Sequence, residues 1–236
     1  MEDKDHSETM GNKQPYFTFG VIADVQYADR PTAPNCWGSL RYYRDSLTHF
    51  HHAVAEWSSQ ATVPNFVLQL GDIIDSSNKR LQESENALEK VLQVTEARKH
   101  ERQLVNFNGG VGKEQLSWLH KILTYADEQE EKVVIASHVP IHPNAQVTNC
   151  LAWNYSEILD VLHRHSCVVS YIAGHEHHGA YCQDSHGIHH ITMEGVIESP
   201  PNTNAFATVH MYKNKMVLHG RGRVKSREMS FVQNGQ

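Results

Sequence analysis

Four short apolar runs, each stopping at a residue that can bind a metal ion, constrain this chain more than any other feature. "FTFGVI" spans Phe17 to Ile22 and leads to Asp24 and Gln26, "NFVLQLGD" ends on Asp72, "KVVIASH" ends on His138, and "VVSYIAGHEH" ends on His175 and His177. Short apolar runs bounded by turn residues read as buried strands. Between them, apolar residues recur at spacings of three and four, the helical period. Tyr43, Leu47, Phe50, Val54 and Trp57 predict a helix over roughly 41–58. Ala87, Leu88, Val91 and Leu92 predict a second within 81–98, Leu116, Leu119 and Ile122 or Leu123 a third, and Ile158, Leu159 and Leu162 a short fourth. Beyond His177 the pattern turns to strand throughout, in "GIHHITMEGVIE", "AFATVHMYKN" and "KMVLHGRGRV", the last two joined by a hairpin at Lys213–Lys215. The expected organisation is one α/β domain over 16–224, with a disordered tail at 1–15 and a loose C-terminal tail at 225–236.

The placement of the polar residues carries the chemistry. In open α/β sheets, ligands bind beyond the carboxyl ends of strands, where side chains from separate strands converge. Here carboxylate, carboxamide and imidazole converge, a mixed oxygen and nitrogen set suited to Mn, Fe or Zn, with little thiolate character. Asp72 has two carboxylate oxygens and can bridge two ions, which at a spacing of about 3.5–4 Å clamp a phosphoryl group. Each element also has an ordinary reading. Asp24 can cap a helix or start a turn, Asp75 can start the turn with Ser76, Ser77 and Asn78, His138 can be a core histidine, and "GHEHH" can be a solvated turn. Four such exits in one chain favour the metal site.

Composition removes other classes. A formal net charge of −6 and a pI near 6.3 argue against nucleic acid as a partner. No apolar run approaches the roughly 18 residues of a membrane span, and the polar, acidic N-terminus is not a signal peptide. Cys36, Cys150, Cys167 and Cys182 form no CxxC pair, so free thiols in a reducing, cytoplasmic setting are expected. The chain has 18 histidines, scattered except for a concentration between His163 and His190, which speaks against a purification tag or a metal-storage tract.

"DVQ", "GDIID", "SH" and "AGHEH" together resemble the motifs of the calcineurin-like metallophosphoesterases. "FGVIADVQYAD", "LQLGDIID", "FNGG", "CLAWNY", "EGVIE" and "GRGRV" extend the resemblance over nearly the whole chain, to the branch with Gln in place of His in the first motif. The resemblance implies a four-layer α-β-β-α sandwich and two divalent metal ions, Mn first, with Zn, Fe or Mg as alternatives. It implies hydrolysis of the phosphoanhydride bond of ADP-ribose, CDP-choline and related nucleotides to a nucleoside monophosphate by a monomer. Carried over to this chain, Asp24, Gln26 and His177 hold one ion, Asp72 bridges, and His138 and His175 hold the other. Arg221 or Arg223 are candidates for phosphate contact, and Trp37 for stacking on a base or for packing.

The chain departs from that family in one place. The family's Gly-Asn-His motif, whose Asn binds the second ion and whose His assists the leaving group, has no counterpart. No Asn-His pair occurs anywhere, Gly11–Asn12 is followed by Lys13, and the interval before "FNGG" offers only His100 in a charged run, which reads as a solvated residue. No catalytic acid is therefore assigned. The relatives' inner strands from this interval are missing as well, as from an internal deletion, for example a splice product joined between Val94 and Arg102. A transcript continuous in a single exon there overturns that origin. The alternative expectation for function is a catalytically impaired product that binds metal weakly or folds incompletely.

Overall fold

Strand β1 (Phe17–Ile22) is buried at all but its first residue, because it sits inside a sheet. The computed structural model describes residues 14–95 and 109–232. After β1 come a two-residue pair, β2 (Ala33–Pro34) and β3 (Leu40–Arg41), then α1 (Asp45–Ser59), β4 (Phe66–Gln69), α2 (Ser77–Leu81) and α3 (Ser84–Thr95). The second half holds α4 (Lys113–Glu128), β5 (Val133–Ala136), α5 (Tyr155–Leu162), β6 (Val168–Ala173), β7 (Ala180–Gln183), β8 (His189–Thr192), β9 (Ala205–Met211), β10 (Lys215–Gly222) and β11 (Arg227–Ser230).

Two sheets result, ordered β11-β10-β9-β1-β4 and β5-β6-β8-β7. One apolar core joins Phe50, Ala53 and Trp57 of α1 and Val91 of α3 to the first sheet, and through that sheet to Val169, Ile172 and Ile191 of the second. Another packs Leu123 of α4 and Leu162 of α5 against Val168, Tyr171 and Ala173. The layers therefore run helix, sheet, sheet, helix, as anticipated from the resemblance. Leu123 is the buried member of its pair, and Ile122 is exposed, because only one helical face meets the sheet.

Three expectations need correction. β4 and β5 are edge strands of half-buried or exposed residues, with Phe66 46% and Val67 42% exposed. A strand flanked on one side alone cannot bury both its faces and its outer backbone edge. In sequence these two strands flank the interval where inner strands were expected to be missing, and among the described residues no strand pairs with the free edge of either. Of the proposed junction, Val94 lies in α3, while His100 and Arg102 fall outside the described residues, as does the N-terminal tail up to residue 13.

The stretch expected to be loose from 225 instead carries β11, paired with β10 from Lys215↔Ser230 to Leu218↔Arg227, and buries Met229 and Phe231. Its apolar residues cover the end of the first core. Finally, "EGVIE" is not strand. Val196–Glu198 forms a 3-10 turn, because Val196 N–H donates to Ala23 O (3.2 Å) and Ile197 N–H to Asp24 O (3.0 Å), tying it to the exit of β1.

β1 and β4 run parallel, as do β5 and β6. Parallel neighbours end on the same side, so Asp24 and Asp72 leave the first sheet together and His138 and His175 leave the second. Gln26 N–H donates to Asp72 O (2.8 Å) and Gly174 N–H to His138 O (2.9 Å), which fixes each pair.

Candidate metal centre

The six residues singled out in the sequence meet in space. Gln26 Nε2 donates to Asp72 Oδ2 (2.6 Å) and lies 3.4 Å from His177 Nε2. His177 Nε2 is 3.4 Å from Asp24 Oδ1. His175 Nδ1 is 3.1 Å from His138 Nε2, which lies 3.7 Å from Asp72 Oδ1. Asp72 thus touches both groups, one oxygen toward Gln26 and the other toward His138. The set spans both sheets, and the backbone N–H of His175 donating to Asp24 Oδ2 (2.8 Å) joins them.

The backbone around these ligands is strained. Asp24 (φ 52°), Gln26 (φ 43°), Asp72 (φ 49°) and His175 (φ 68°) all lie in the left-handed region. Non-glycine residues there cost about 1–2 kcal/mol each, and such outliers concentrate at functional sites. Two glycines make room. Gly71 (φ 116°) passes where a Cβ would lie 2.6 Å from His138 Nδ1, and at Gly174 a Cβ would lie 2.7 Å from Asp24 Oδ2. A side chain at either position would collide with a ligand.

The electrostatics differ between the two halves. Asp24 is fully buried, Gln26 and His177 nearly so. Burial alone would raise the Asp24 carboxyl, but the His177 charge facing it and the hydrogen bonds to it outweigh that and hold it below the usual carboxylate range. Burial likewise depresses His177, yet Asp24 and Glu198 together push it up to about 9. Burial and the neighbouring His138 lower His175. Asp72 and His138, with side chains 45% and 27% exposed, form the open half.

The residues fit a metal ion on this structure's own terms. Asp24 Oδ1 and Gln26 Oε1 are buried without a hydrogen-bond partner, an arrangement that leaves acceptor oxygens unsatisfied in the absence of a cation. Asp72, His138 and His175 place a ligand atom each within 4.8 Å of one another. Neutral imidazoles and ionised carboxylates are the forms that bind divalent cations.

Residues outside the sequence motifs hold the ligands in place. Glu198 Oε1 lies 3.1 Å from His177 Nδ1, and Leu70 O is 2.9 Å from His138 Nδ1, the partnering that orients a ligating imidazole. Arg223 donates to Gly195 O and to His177 O (both 3.0 Å), so its guanidinium clamps the loop that carries His177. Arg221 is paired with Glu56. Trp37 is 72% exposed in the loop between β2 and β3, so it is not a packing residue. Asp75 does the turn work expected of it, accepting from Ser77 N–H (2.8 Å) and pairing with Arg41 (3.4 Å). Glu198 was missed because "EGVIE" reads as strand; an acid following a helix-like turn after the ligand histidines was its only signal.

No protein-family model matches the chain. It is similar to the manganese-dependent ADP-ribose/CDP-alcohol diphosphatase of Xenopus laevis, at 35% identity covering 93% of this chain and 92% of that protein. The Homo sapiens protein of the same description is 34% identical, with 98% of each chain covered. The Xenopus alignment runs over 326 positions against the 236 residues here, so stretches of that relative have no counterpart in this chain. Among solved structures, a dimetal phosphatase from Danio rerio superposes with a TM-score of 0.86 at 32% identity, covering 93% of this chain and 100% of that one.

Proposed function

From a chain that belongs to the family of manganese-dependent ADP-ribose/CDP-alcohol diphosphatases and has the metallophosphoesterase fold, we propose a metal-dependent hydrolase. It cleaves the phosphoanhydride bond of ADP-ribose, CDP-choline and related nucleoside diphosphate derivatives, releasing a nucleoside monophosphate. Asp24, Gln26 and His177 hold one divalent ion, His138 and His175 the other, and Asp72 bridges; manganese is the first choice for both. The observation that carries this reading is a pair of buried oxygens that accept no hydrogen bond, Gln26 Oε1 and Asp24 Oδ1, the latter facing His177 Nε2 at 3.4 Å.

When bound, such a pair of ions neutralises charge on a phosphoryl group and brings the pKa of water toward neutrality. The chain's own residues set the conditions for this. The Gly174 approach and the His175 N–H hold Asp24 in one orientation, Glu198 keeps His177 Nδ1 engaged so that Nε2 faces Asp24, and Leu70 O does the same for His138 Nδ1. The solvent-open side at Asp72 and His138 is where a diphosphate enters. No residue is assigned as the acid for the leaving group. The further expectations are a monomer in the cytoplasm acting on small nucleotides; four free cysteines are in keeping with a reducing compartment. No described helix is long and apolar enough to cross a membrane.

Purified full-length protein incubated with Mn²⁺ and ADP-ribose should release AMP well above a chelated control, and Asp72→Ala should abolish the release. Manganese-dependent release that survives Asp72→Ala overturns the assignment.

A further inference from the structure

A second cluster of ligand-type side chains lies on the β7–β8 hairpin and shares no residue with the centre above. Cys182 of β7 and His190 of β8 are directly opposed in the antiparallel register. Asp184 opens the connecting turn, and its Oδ2 lies 2.8 Å from His190 Nε2. His142, in the loop after β5, puts Nδ1 3.1 Å from Cys182 Sγ and its ring 4.6 Å from that of His190. One ligand atom each from His142, Asp184 and His190 fall within 4.8 Å of one another.

The surroundings prepare these groups for a cation. The Asp184 side chain is buried (3% exposed) and its Oδ1 accepts the backbone N–H of His186 (2.9 Å) and of Ile188 (3.0 Å), which fixes the carboxylate. His163 Nε2, 3.0 Å away, holds the other oxygen from outside. Burial would raise Asp184, but hydrogen bonds from His190, Ile188 and His163 bring it down to about 2, so it is ionised at neutral pH. Burial lowers both imidazoles, His142 below its ordinary range and His190 to about 4, in favour of the neutral form. His190 Nδ1, on a residue 1% exposed, is buried with no hydrogen-bond partner.

We propose that His142, Asp184 and His190 form a separate site for one zinc-class ion, with Cys182 Sγ, beside His142 Nδ1, turning in as the fourth ligand. Two imidazoles, one sulfur and one carboxylate are a four-ligand set that zinc takes tetrahedrally. The softer sulfur and the general order of divalent affinities place manganese and magnesium far below zinc or cobalt there. That separates this site from the oxygen-rich centre at the strand ends. Burial pushes the Cys182 thiol up to about 11, so binding breaks the S–H bond, forms the sulfur–metal bond and releases one proton to solvent.

The full chain is stripped with chelator and titrated with Co²⁺, then separately with Zn²⁺ and assayed for bound metal. Wild type and Asp72→Ala should both show a near-ultraviolet thiolate-to-cobalt absorption band, absent from Cys182→Ser. His142→Ala should retain one zinc equivalent fewer than wild type. Metal-free melting temperatures identify a variant that has failed to fold, and since His142 and Cys182 are only partly buried, either variant alone suffices. A cobalt spectrum and zinc content identical in wild type, Cys182→Ser and His142→Ala overturns the proposal. So does a band lost in Asp72→Ala but kept in Cys182→Ser.

Discussion

Glu198 Oε1 sits 3.1 Å from His177 Nδ1, while Nε2 of the same imidazole faces Asp24 Oδ1 at 3.4 Å. The ring is held between two carboxylates, one a proposed ligand and one a support. Substituting the support keeps a hydrogen bond and removes its charge. Glu198→Gln should therefore weaken manganese binding by about 10–100-fold, the usual cost of losing such a partner. Calorimetric titration with Mn²⁺ checks this, and an unchanged affinity would show that Glu198 does not support the ligand.

The same ring predicts a coupling between protons and metal. In the metal-free protein His177 titrates at about 9, above its ordinary 6.5, so near pH 7 the ring carries a proton that an incoming ion must expel. Apparent manganese affinity should rise about tenfold per pH unit from 7 and level off above about 9. Titrations in buffers of different ionisation enthalpy should find close to one proton released at pH 7 and almost none at pH 10. For the metal-free fold the sign runs the other way. A raised folded pKa contributes stability that is full below 6.5 and is lost as pH rises through about 9, so the metal-free melting temperature should fall across that window.

Asp72 and Asp75 stand three residues apart and should respond differently. Asp72→Ala should end AMP release with little change in melting temperature, because the side chain is 45% exposed. Asp75→Ala removes the acceptor for Ser77 N–H and the partner of Arg41. It should cost about 1–2 kcal/mol, a shift of a few degrees in Tm, with activity largely kept. Activity assays and thermal melts on the pair separate ligand from turn residue.

Gly174→Ala should damage the centre more than the fold. The added Cβ would lie 2.7 Å from Asp24 Oδ2 and 2.9 Å from Ala23 Cβ, forcing a shift that costs about 1–3 kcal/mol. Manganese affinity should drop more steeply than this loss of stability suggests, since Asp24 itself must move. Denaturant unfolding set beside metal titration measures both.

The free edge of β4 presents Phe66 and Val67, 46% and 42% exposed, with Phe17 stacked on Phe66 (ring centroids 6.1 Å apart). Exposed apolar edge strands template association between chains, and lysine on the edge blocks it. Val67→Lys should slow light-scattering growth on heating while leaving the stability within about 0.5 kcal/mol of wild type.

The residues at the strand exits were legible because they are written locally, whereas the layer order was expected only from the family resemblance. An apolar run ending in Asp, Gln or His is a strand exit within a few residues, and parallel strands bring successive exits to one side. The spacing of Leu47, Phe50, Val54 and Trp57 marked α1 in the same way. The absence of an Asn-His pair was equally plain in the chain, and among the described residues no strand pairs with the outer edge of β4 or β5. What the sequence by itself determined, then, is which side chains reach the ends of the strands. Only tertiary structure decided what stands behind them. Glu198 supporting His177 and Arg223 clamping its carbonyl depend on contacts between segments apart in the chain, while β11 closes the sheet on its neighbour β10 because Met229 and Phe231 find a core to bury in. Cys182 facing His142 across 40 residues is another such contact. Packing and burial select these partners, and no local period of the chain encodes them.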